Sequence, residues 1–187
     1  MNEKKEILDR LKNGLDKRTI YHEFQDKMDD AHLRRILASR PSNNTATKFR
    51  ILHKILSWIW VLFVLSELLG IVNLVINFDV KIFISLVIST YIMIQVWKFN
   101  GDVFLPGMIW LVWAVFNSIK ELRYLTPPEP DYDFLMTFSI GYIFFISIAI
   151  LLMYIVRKHV FDYYNWFKPD TDNHDDIVFE SYNKLYN

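Results

Sequence analysis

Residues 134–156 read FLMTFSIGYIFFISIAILLMYIV and carry no charged side chain. A helix of about 20 apolar residues crosses the roughly 30 Å hydrocarbon core of a membrane. Inside lipid, only helices and closed barrels satisfy all their backbone hydrogen bonds. The stretch therefore predicts a transmembrane helix, and apolar stretches at 55–77, 80–99 and 103–119 predict three more. The fold class that follows is all-α, with a four-helix transmembrane bundle over residues 55–156.

The connections between the predicted spans are polar. Phe78 and Asp79, next to Asn77, predict a tight hairpin after the first span. Residues 126–131 read TPPEPD, and proline cannot continue a helix because it lacks the backbone N–H. We therefore expect this loop before the fourth span to lie outside the membrane.

Lysine and arginine flank the predicted spans unequally. Such residues close to span ends are retained on the cytoplasmic side of a membrane. The more basic side carries Lys48, Arg50, Lys54, Lys98, Arg157 and Lys158, and the other side carries Lys81, Lys120 and Arg123. The sequence therefore predicts a multi-pass protein of the cell inner membrane with both termini in the cytoplasm.

The region before the first span is polar and basic. Residues 1–54 carry 13 Lys and Arg against 8 Asp and Glu. Residues 1–41 are predicted to form a small cytosolic helical bundle, and residues 42–54 a linker and the start of the first membrane helix. The core of the bundle is predicted to be an apolar stripe at helical spacing that comprises Ile7, Leu8, Leu11, Ile20 and Phe24.

Arg34 and Arg35 lie on the third predicted helix of this bundle and are candidate partner-docking residues. The spacing of Leu11, Gly14 and Ile20 loosely matches a helix-turn-helix, but small helical bundles commonly have the same spacing. The chain has a net charge of zero, which gives no reason to expect direct nucleic-acid binding. We therefore favour a bundle that docks to a cytosolic protein or nucleoprotein or mediates oligomerisation, with the basic residues drawn to the anionic face of the lipid bilayer.

Residues 157–187 are predicted to form a cytosolic tail that is first aromatic and then acidic. Its aromatic side chains favour the lipid interface, and they are Phe161, Tyr163, Tyr164, Trp166 and Phe167. The acidic run from Asp170 does not fit a calcium-binding loop, because its sixth position is Asp175 instead of glycine and its twelfth is Ser181 instead of glutamate. A solvated turn is predicted there, and no metal site.

The tryptophans fall into two predicted groups. Trp58, Trp60, Trp97 and Trp166 lie near the more basic span ends, where belts of aromatic residues are typical. Trp110 and Trp113 lie deeper in the third span and are predicted to pack between helices.

Glu67 lies inside the first predicted span, where an ionised carboxylate is costly. One interpretation is a proton- or cation-handling group, or one member of a carboxylate ring in a homo-oligomer. The other is a neutral carboxyl that fixes helix packing through hydrogen bonds. The partners predicted at similar depth are Ser89 and Thr90, the indole groups of Trp110 or Trp113, and Ser147.

Enzyme motifs are absent from the sequence. It contains no glycine-rich phosphate loop, no zinc-binding helix pair and no serine nucleophile elbow. It also contains no cysteine, which excludes a thiolate nucleophile and thiolate metal sites. We therefore predict a non-enzymatic protein with no catalytic residues and no cofactor.

The size, the four spans, the basic N-terminal bundle and the lack of catalytic motifs together suggest a family. The chain resembles the small four-span membrane accessory proteins encoded beside RNA-targeting type VI-B CRISPR effectors. The resemblance covers the whole chain in architecture and rests on no residue motif, so no functional residues carry over. It implies a regulatory component of an RNA-guided antiviral defence system. The alternative is an oligomeric pore-forming or ion-handling protein centred on Glu67.

Overall fold

The computed structural model describes residues 3–69, 80–123 and 132–180. Four short helices come first: α1 (Glu3–Lys12), α2 (Lys17–Phe24), α3 (Asp30–Ala38) and α4 (Asn43–Lys48). The side chains of Asp16, Asp29 and Ser42 each accept a backbone N–H at the starts of α2, α3 and α4. Such caps satisfy donors that the first turn of a helix leaves unpaired, which explains where these helices begin.

Four long helices follow: α5 (Arg50–Leu69), α6 (Val80–Trp97), α7 (Phe104–Leu122) and α8 (Tyr132–Val160). A short 3-10 helix at Gly101–Val103 lies between α6 and α7. Each long helix has the length and apolar composition needed to cross a membrane. Within the described ranges, extended pairing is limited to two isolated β-bridges. The all-α class and the presence of four helices able to span a membrane are confirmed.

Three of the helices extend beyond the predicted spans. α5 begins at Arg50, within the stretch 42–54 that was predicted to hold the start of the first membrane helix. α7 ends at Leu122 instead of residue 119, and α8 covers Tyr132–Val160 instead of 134–156. A helix need not end where it leaves the hydrocarbon, because water then satisfies its exposed backbone groups. Residues 70–79 and 124–131 lie outside the described residues. The end of the predicted first span, the hairpin and the proline-rich loop therefore lie outside them as well.

The long helices pack around an interior of large apolar side chains. α5 contacts both α6 and α8, and α7 packs along α8. The buried set includes Leu56, Trp60, Phe63, Leu111, Ile146 and Met153. Gly107 allows a close approach, since a Cβ there would lie 2.7 Å from Cε of Met153. The outer faces are equally apolar, with Phe116 and Phe144 more than 60% exposed, as expected for helices surrounded by lipid.

The tryptophans are placed differently from the prediction. Trp60, which was expected in the interfacial belt, is fully buried, and Trp113, which was expected between helices, is 61% exposed. A span that is apolar on every face gives no signal for which face meets its neighbour. Trp58 and Trp97 are exposed and contact each other edge to face at 5.8 Å. Their place in a belt stays a prediction.

The α1–α3 bundle has a core of its own. The buried side chains are Ile7, Ile20, Phe24, Leu33, Ile36 and Leu37, with Leu8 and Leu11 packed against them. The apolar stripe predicted from the sequence therefore forms this core.

The tail folds back onto the α1–α3 bundle, which the sequence did not predict. Phe161, Tyr163 and Tyr164 are buried, while Trp166 and Phe167 are 73% and 55% exposed. The prediction of a lipid-interface tail is wrong for the first three residues and stays a prediction for the last two. We call the unit formed by residues 3–49, 98–103 and 161–180 the cap, because its three segments contact one another at one end of the long helices.

Candidate functional site

Lys17 and Tyr163 lie at the centre of the cap. Lys17, the first residue of α2, is only 1% exposed. Its Nζ donates to the Tyr163 hydroxyl at 3.1 Å and to the backbone oxygen of Phe179 at 2.7 Å. Burial of an ammonium group is tolerated when its donors are paired. The tail thus supplies the partners that allow Lys17 to be buried.

Tyr163 extends this network to α3. Its hydroxyl donates to the backbone oxygen of Ala38 at 2.9 Å while it accepts from Lys17. Burial raises the pKa of Tyr163 well above its ordinary value, so the hydroxyl keeps its proton at neutral pH. One tyrosine therefore joins the tail to α2 and to the end of α3.

Arg34, a predicted docking residue, is used inside the cap. Its Nε donates to Asp30 at 2.8 Å, and a terminal nitrogen lies 3.3 Å from Asp176 of the tail. Its guanidinium also lies over the rings of Tyr21 and Phe179, at 4.8 and 5.9 Å from their centroids. Burial alone would lower the pKa of Arg34, but hydrogen bonds with Asp30 and Tyr21 outweigh that effect and raise this pKa. Arg34 therefore fastens the tail to α3.

Arg35, the other predicted docking residue, differs from Arg34. Its side chain is exposed, and it makes no ion pair with any residue in 3–69, 80–123 or 132–180. His32 is also exposed and lies three residues earlier, on the same helix face. This face of α3 therefore remains accessible.

The connection between α6 and α7 completes the cap. The backbone N–H of Gly101 donates to the oxygen of Ser39 at 2.9 Å, and the Tyr164 hydroxyl donates to Oδ1 of Asp102 at 2.7 Å. The ring of Phe161 lies so close to Gly101 that a Cβ there would be 2.7 Å from its Cδ1. The N-terminal bundle, the tail and the α6–α7 connection therefore form one packed unit.

The acidic run of the tail is organised by Asp172. Its Oδ1 accepts the backbone N–H groups of His174 at 2.8 Å and of Asp176 at 3.1 Å. These hydrogen bonds favour the charged form and lower the pKa of Asp172. The carboxylate of Asp172 thus stabilises a turn of the backbone. Among the described residues, no group of three or more His, Asp or Glu side chains is placed to hold a metal ion.

Glu67, the predicted intramembrane site, contacts α6. Its Oε1 accepts from the hydroxyl of Ser85 at 2.8 Å, and Ser89 lies one turn further along, beside the same carboxyl. Ser89 in turn accepts from the indole N–H of Trp110 on α7 at 2.8 Å. A row of polar groups therefore connects α5, α6 and α7 inside an otherwise apolar bundle.

The second carboxyl oxygen of Glu67 is less well satisfied. Its Oε2 is buried and has no hydrogen-bond partner in the part of the chain that the structure describes. Lys54, a basic residue near the start of α5, is too far away to pair with this carboxyl. At a rise of about 1.5 Å per residue, it lies roughly 20 Å from Glu67 along the helix. A buried polar atom without a partner costs free energy. This atom is therefore the point at which the described residues leave the polar row unsatisfied.

Sequence reasoning identified part of this polar row. Ser89 and Trp110 belong to it, whereas Trp113 faces outward and Ser147 donates to Ile143 of its own helix. Ser85 was missed. It lies four residues before Ser89 and so on the same face of α6, a spacing that could have revealed it.

No protein-family model, curated protein sequence or solved structure matches this chain.

Proposed function

We propose that this protein is a non-enzymatic membrane protein that serves as an accessory or regulatory component of a cytosolic effector, with the cap as its docking module. The observation that carries the proposal is the burial of Lys17 by the tail. Three segments that are distant in sequence are thereby held in one conformation on the end of a membrane bundle.

Such a cap has two physical advantages as a docking module. A surface that is ordered before binding loses less conformational entropy when a partner binds. Attachment to the membrane also brings a docked effector close to other membrane-bound components, which raises their effective concentration. The accessible face of α3, with His32 and Arg35, is the proposed contact.

The proposed partner follows from the architectural resemblance and is an RNA-guided, RNA-targeting effector of the type VI-B class. The contact would be with the protein or nucleoprotein surface, and direct binding of nucleic acid is not part of the proposal. The proposed location is the cell inner membrane, with the cap in the cytoplasm, since most of the basic residues flank that end of the spans. A reporter that is active only in the cytoplasm should work when fused after Asn187, and inactivity would overturn this orientation.

The docking test uses a charge reversal on the exposed face of α3. Purified protein carrying Arg35→Glu should bind a purified type VI-B effector with its guide RNA roughly tenfold more weakly than the wild type, because like charges at an interface repel. Lys12→Glu makes the same charge change on exposed α1 and should bind like the wild type. Failure of the wild type to bind, or equal loss in both variants, would overturn the proposed contact.

The unsatisfied Oε2 of Glu67 favours a second candidate function, an oligomeric pore or ion-handling protein. The interior of one copy is filled by side chains such as Trp60 and Phe63, so any conduction path would lie between copies. Proton and monovalent-cation flux should be measured in liposomes for the wild type and for Glu67→Gln, with exposed Glu121→Gln as the matched control. Flux that only Glu67→Gln abolishes would favour the pore. Absence of flux in all three proteins would favour the accessory role.

A further inference from the structure

A cavity lies where α8 leaves the predicted membrane region. It has a volume of about 220 Å³ and is lined by Leu105, Arg157, Tyr164, Asn165 and Trp166. Leu105 is in the first turn of α7 and Arg157 is in the last turn of α8. The cavity therefore lies at the boundary between the apolar helix faces and the cap.

The guanidinium of Arg157 is fixed in this cavity but not neutralised. One terminal nitrogen donates to the backbone oxygens of Asn165 and Trp166, both at 2.7 Å. Its Nε is buried without a hydrogen-bond partner, and it forms no ion pair, within residues 3–69, 80–123 and 132–180. Carbonyl groups orient the guanidinium but do not cancel its charge. A half-buried guanidinium that forms no ion pair favours an anion as its ligand.

The surroundings of the cavity favour a lipid as the source of that anion. Trp166 and its neighbour Phe167 are 73% and 55% exposed, which is unusual for such side chains in water and typical at the level of lipid headgroups. Leu105 provides an apolar wall on the side of the spans. Lys168 is exposed nearby in sequence and adds positive charge, which attracts anionic lipids.

We propose that Arg157 and Trp166 form a binding site for the phosphate of an anionic phospholipid, whose acyl chains lie against the apolar faces of α7 and α8. Arginine suits this ligand because its planar donors match phosphate oxygens. The carbonyl groups of Asn165 and Trp166 hold the guanidinium in place before the lipid binds. The site is independent of the proposed effector and of Glu67.

Native mass spectrometry of the full-length protein in detergent tests this site. We expect phosphatidylglycerol to bind roughly tenfold more tightly than phosphatidylcholine, because the phosphate contact is a charge-assisted hydrogen bond without a competing choline. Arg157→Gln should abolish the preference. Lys158→Gln should retain it, since the side chain of Lys158 is exposed and lies over the ring of Tyr154.

Unfolding of the tail in Arg157→Gln would also abolish lipid binding, so a second variant tests the site independently. Trp166→Ala removes an exposed side chain and should also weaken phosphatidylglycerol binding, whereas Trp58→Ala, at an exposed position on α5, should not. Equal phosphatidylglycerol binding by the wild type, Arg157→Gln and Trp166→Ala would overturn the site. Complete displacement of the lipid by inorganic phosphate would overturn the lipid assignment in favour of a free-anion site, and retention of the lipid would support it.

Discussion

The cap and the four-helix bundle are held together by different interactions. In the cap, polar groups that are far apart in sequence pair directly, as Lys17 does with Tyr163, 146 residues away. In the bundle, apolar side chains pack against one another, as Trp60 does edge to face with Phe63 at 5.4 Å. Its outer faces are as apolar as its interior.

This difference follows from the two surroundings. Water around the cap makes apolar burial favourable and makes an unpaired buried charge costly. Lipid offers no hydrophobic force between helices, so close packing and a few hydrogen bonds hold the spans together. The cap should therefore unfold when one specific side chain is removed, whereas the bundle should stay folded after most single substitutions.

Tyr163→Ala should break the cap and give the largest effect. Loss of a buried aromatic side chain costs roughly 3 to 5 kcal/mol, and the change also leaves Lys17 without its hydroxyl partner. We expect hydrogen–deuterium exchange protection of α1–α3 to fall roughly a hundredfold or more. Membrane insertion, measured by alkaline extraction, should not change.

Two further tail variants serve as controls for this prediction. Tyr163→Phe keeps the ring and loses only the hydroxyl, so its effect should be intermediate, at roughly 1 to 3 kcal/mol. Phe167→Ala removes an exposed aromatic side chain of the same segment and should leave protection of α1–α3 unchanged. Full protection in Tyr163→Ala would show that the tail does not hold the bundle.

A series of glycine substitutions compares the two regions at a smaller scale. At Gly101, a Cβ would meet the rigid ring of Phe161, so Gly101→Ala should cost about 1 to 3 kcal/mol. At Gly107 in the bundle, the nearest atom is the flexible end of Met153, so the cost should be lower. At Gly141 nothing lies within 4 Å, so alanine should be neutral or stabilise α8 by up to about 1 kcal/mol.

Thermal unfolding in one detergent would rank these three variants. The expected order of melting temperature is Gly141→Ala highest, then Gly107→Ala, then Gly101→Ala. If Gly107→Ala instead had a lower melting temperature than Gly101→Ala, the spans would be the less tolerant region.

The smallest expected effect is a pH dependence of the tail turn. Because the pKa of Asp172 is lowered in the folded turn, its stabilisation is fully present above the ordinary Asp pKa of about 3.9 and is lost as the pH falls through the lowered value. The guanidinium of Arg34, which pairs with Asp176 of the same turn, also favours the charged form of Asp172. Tail amides should therefore lose protection upon acidification from about pH 6 to about pH 3.

Asp172→Asn tests how much of this pH dependence is due to Asp172 and how much to other carboxyl groups that titrate in the same range. Asparagine can still accept the N–H groups of His174 and Asp176 through Oδ1, but it does not titrate. The variant should keep the turn and show a weaker pH dependence. An unchanged pH profile would assign the effect to other carboxyl groups.

The sequence predicted the spans well because a run of about 20 apolar residues is a local signal. It could not predict the cap, since nothing near Lys17 reports that residues 163 and 179 will cover it. Tyr164 and Trp166 are both aromatic residues in the same short stretch of the tail, yet Tyr164 is buried and Trp166 is exposed. Tertiary contacts over long distances decide such outcomes, and a single sequence carries no direct record of them.

The polar row at Glu67 was predictable in part. A carboxyl group inside a span must find polar partners on neighbouring helices, and Ser89 and Trp110 lie at a compatible depth. The rotation of each helix about its own axis was not predictable, because all faces of a span are apolar. Trp60 and Trp113 were consequently assigned to the wrong surroundings.

The folded-back tail also determines when the cap can first form during synthesis. The N-terminal bundle leaves the ribosome early, but Tyr163 and Phe179, which cover Lys17, come after the last span. At about 5 to 20 residues per second, the 120 residues between 41 and 160 take roughly 6 to 24 s to make. During that interval Lys17 stays uncovered, so a nascent chain cannot present the finished cap. Only chains that have inserted all their spans and completed the tail would then engage a partner.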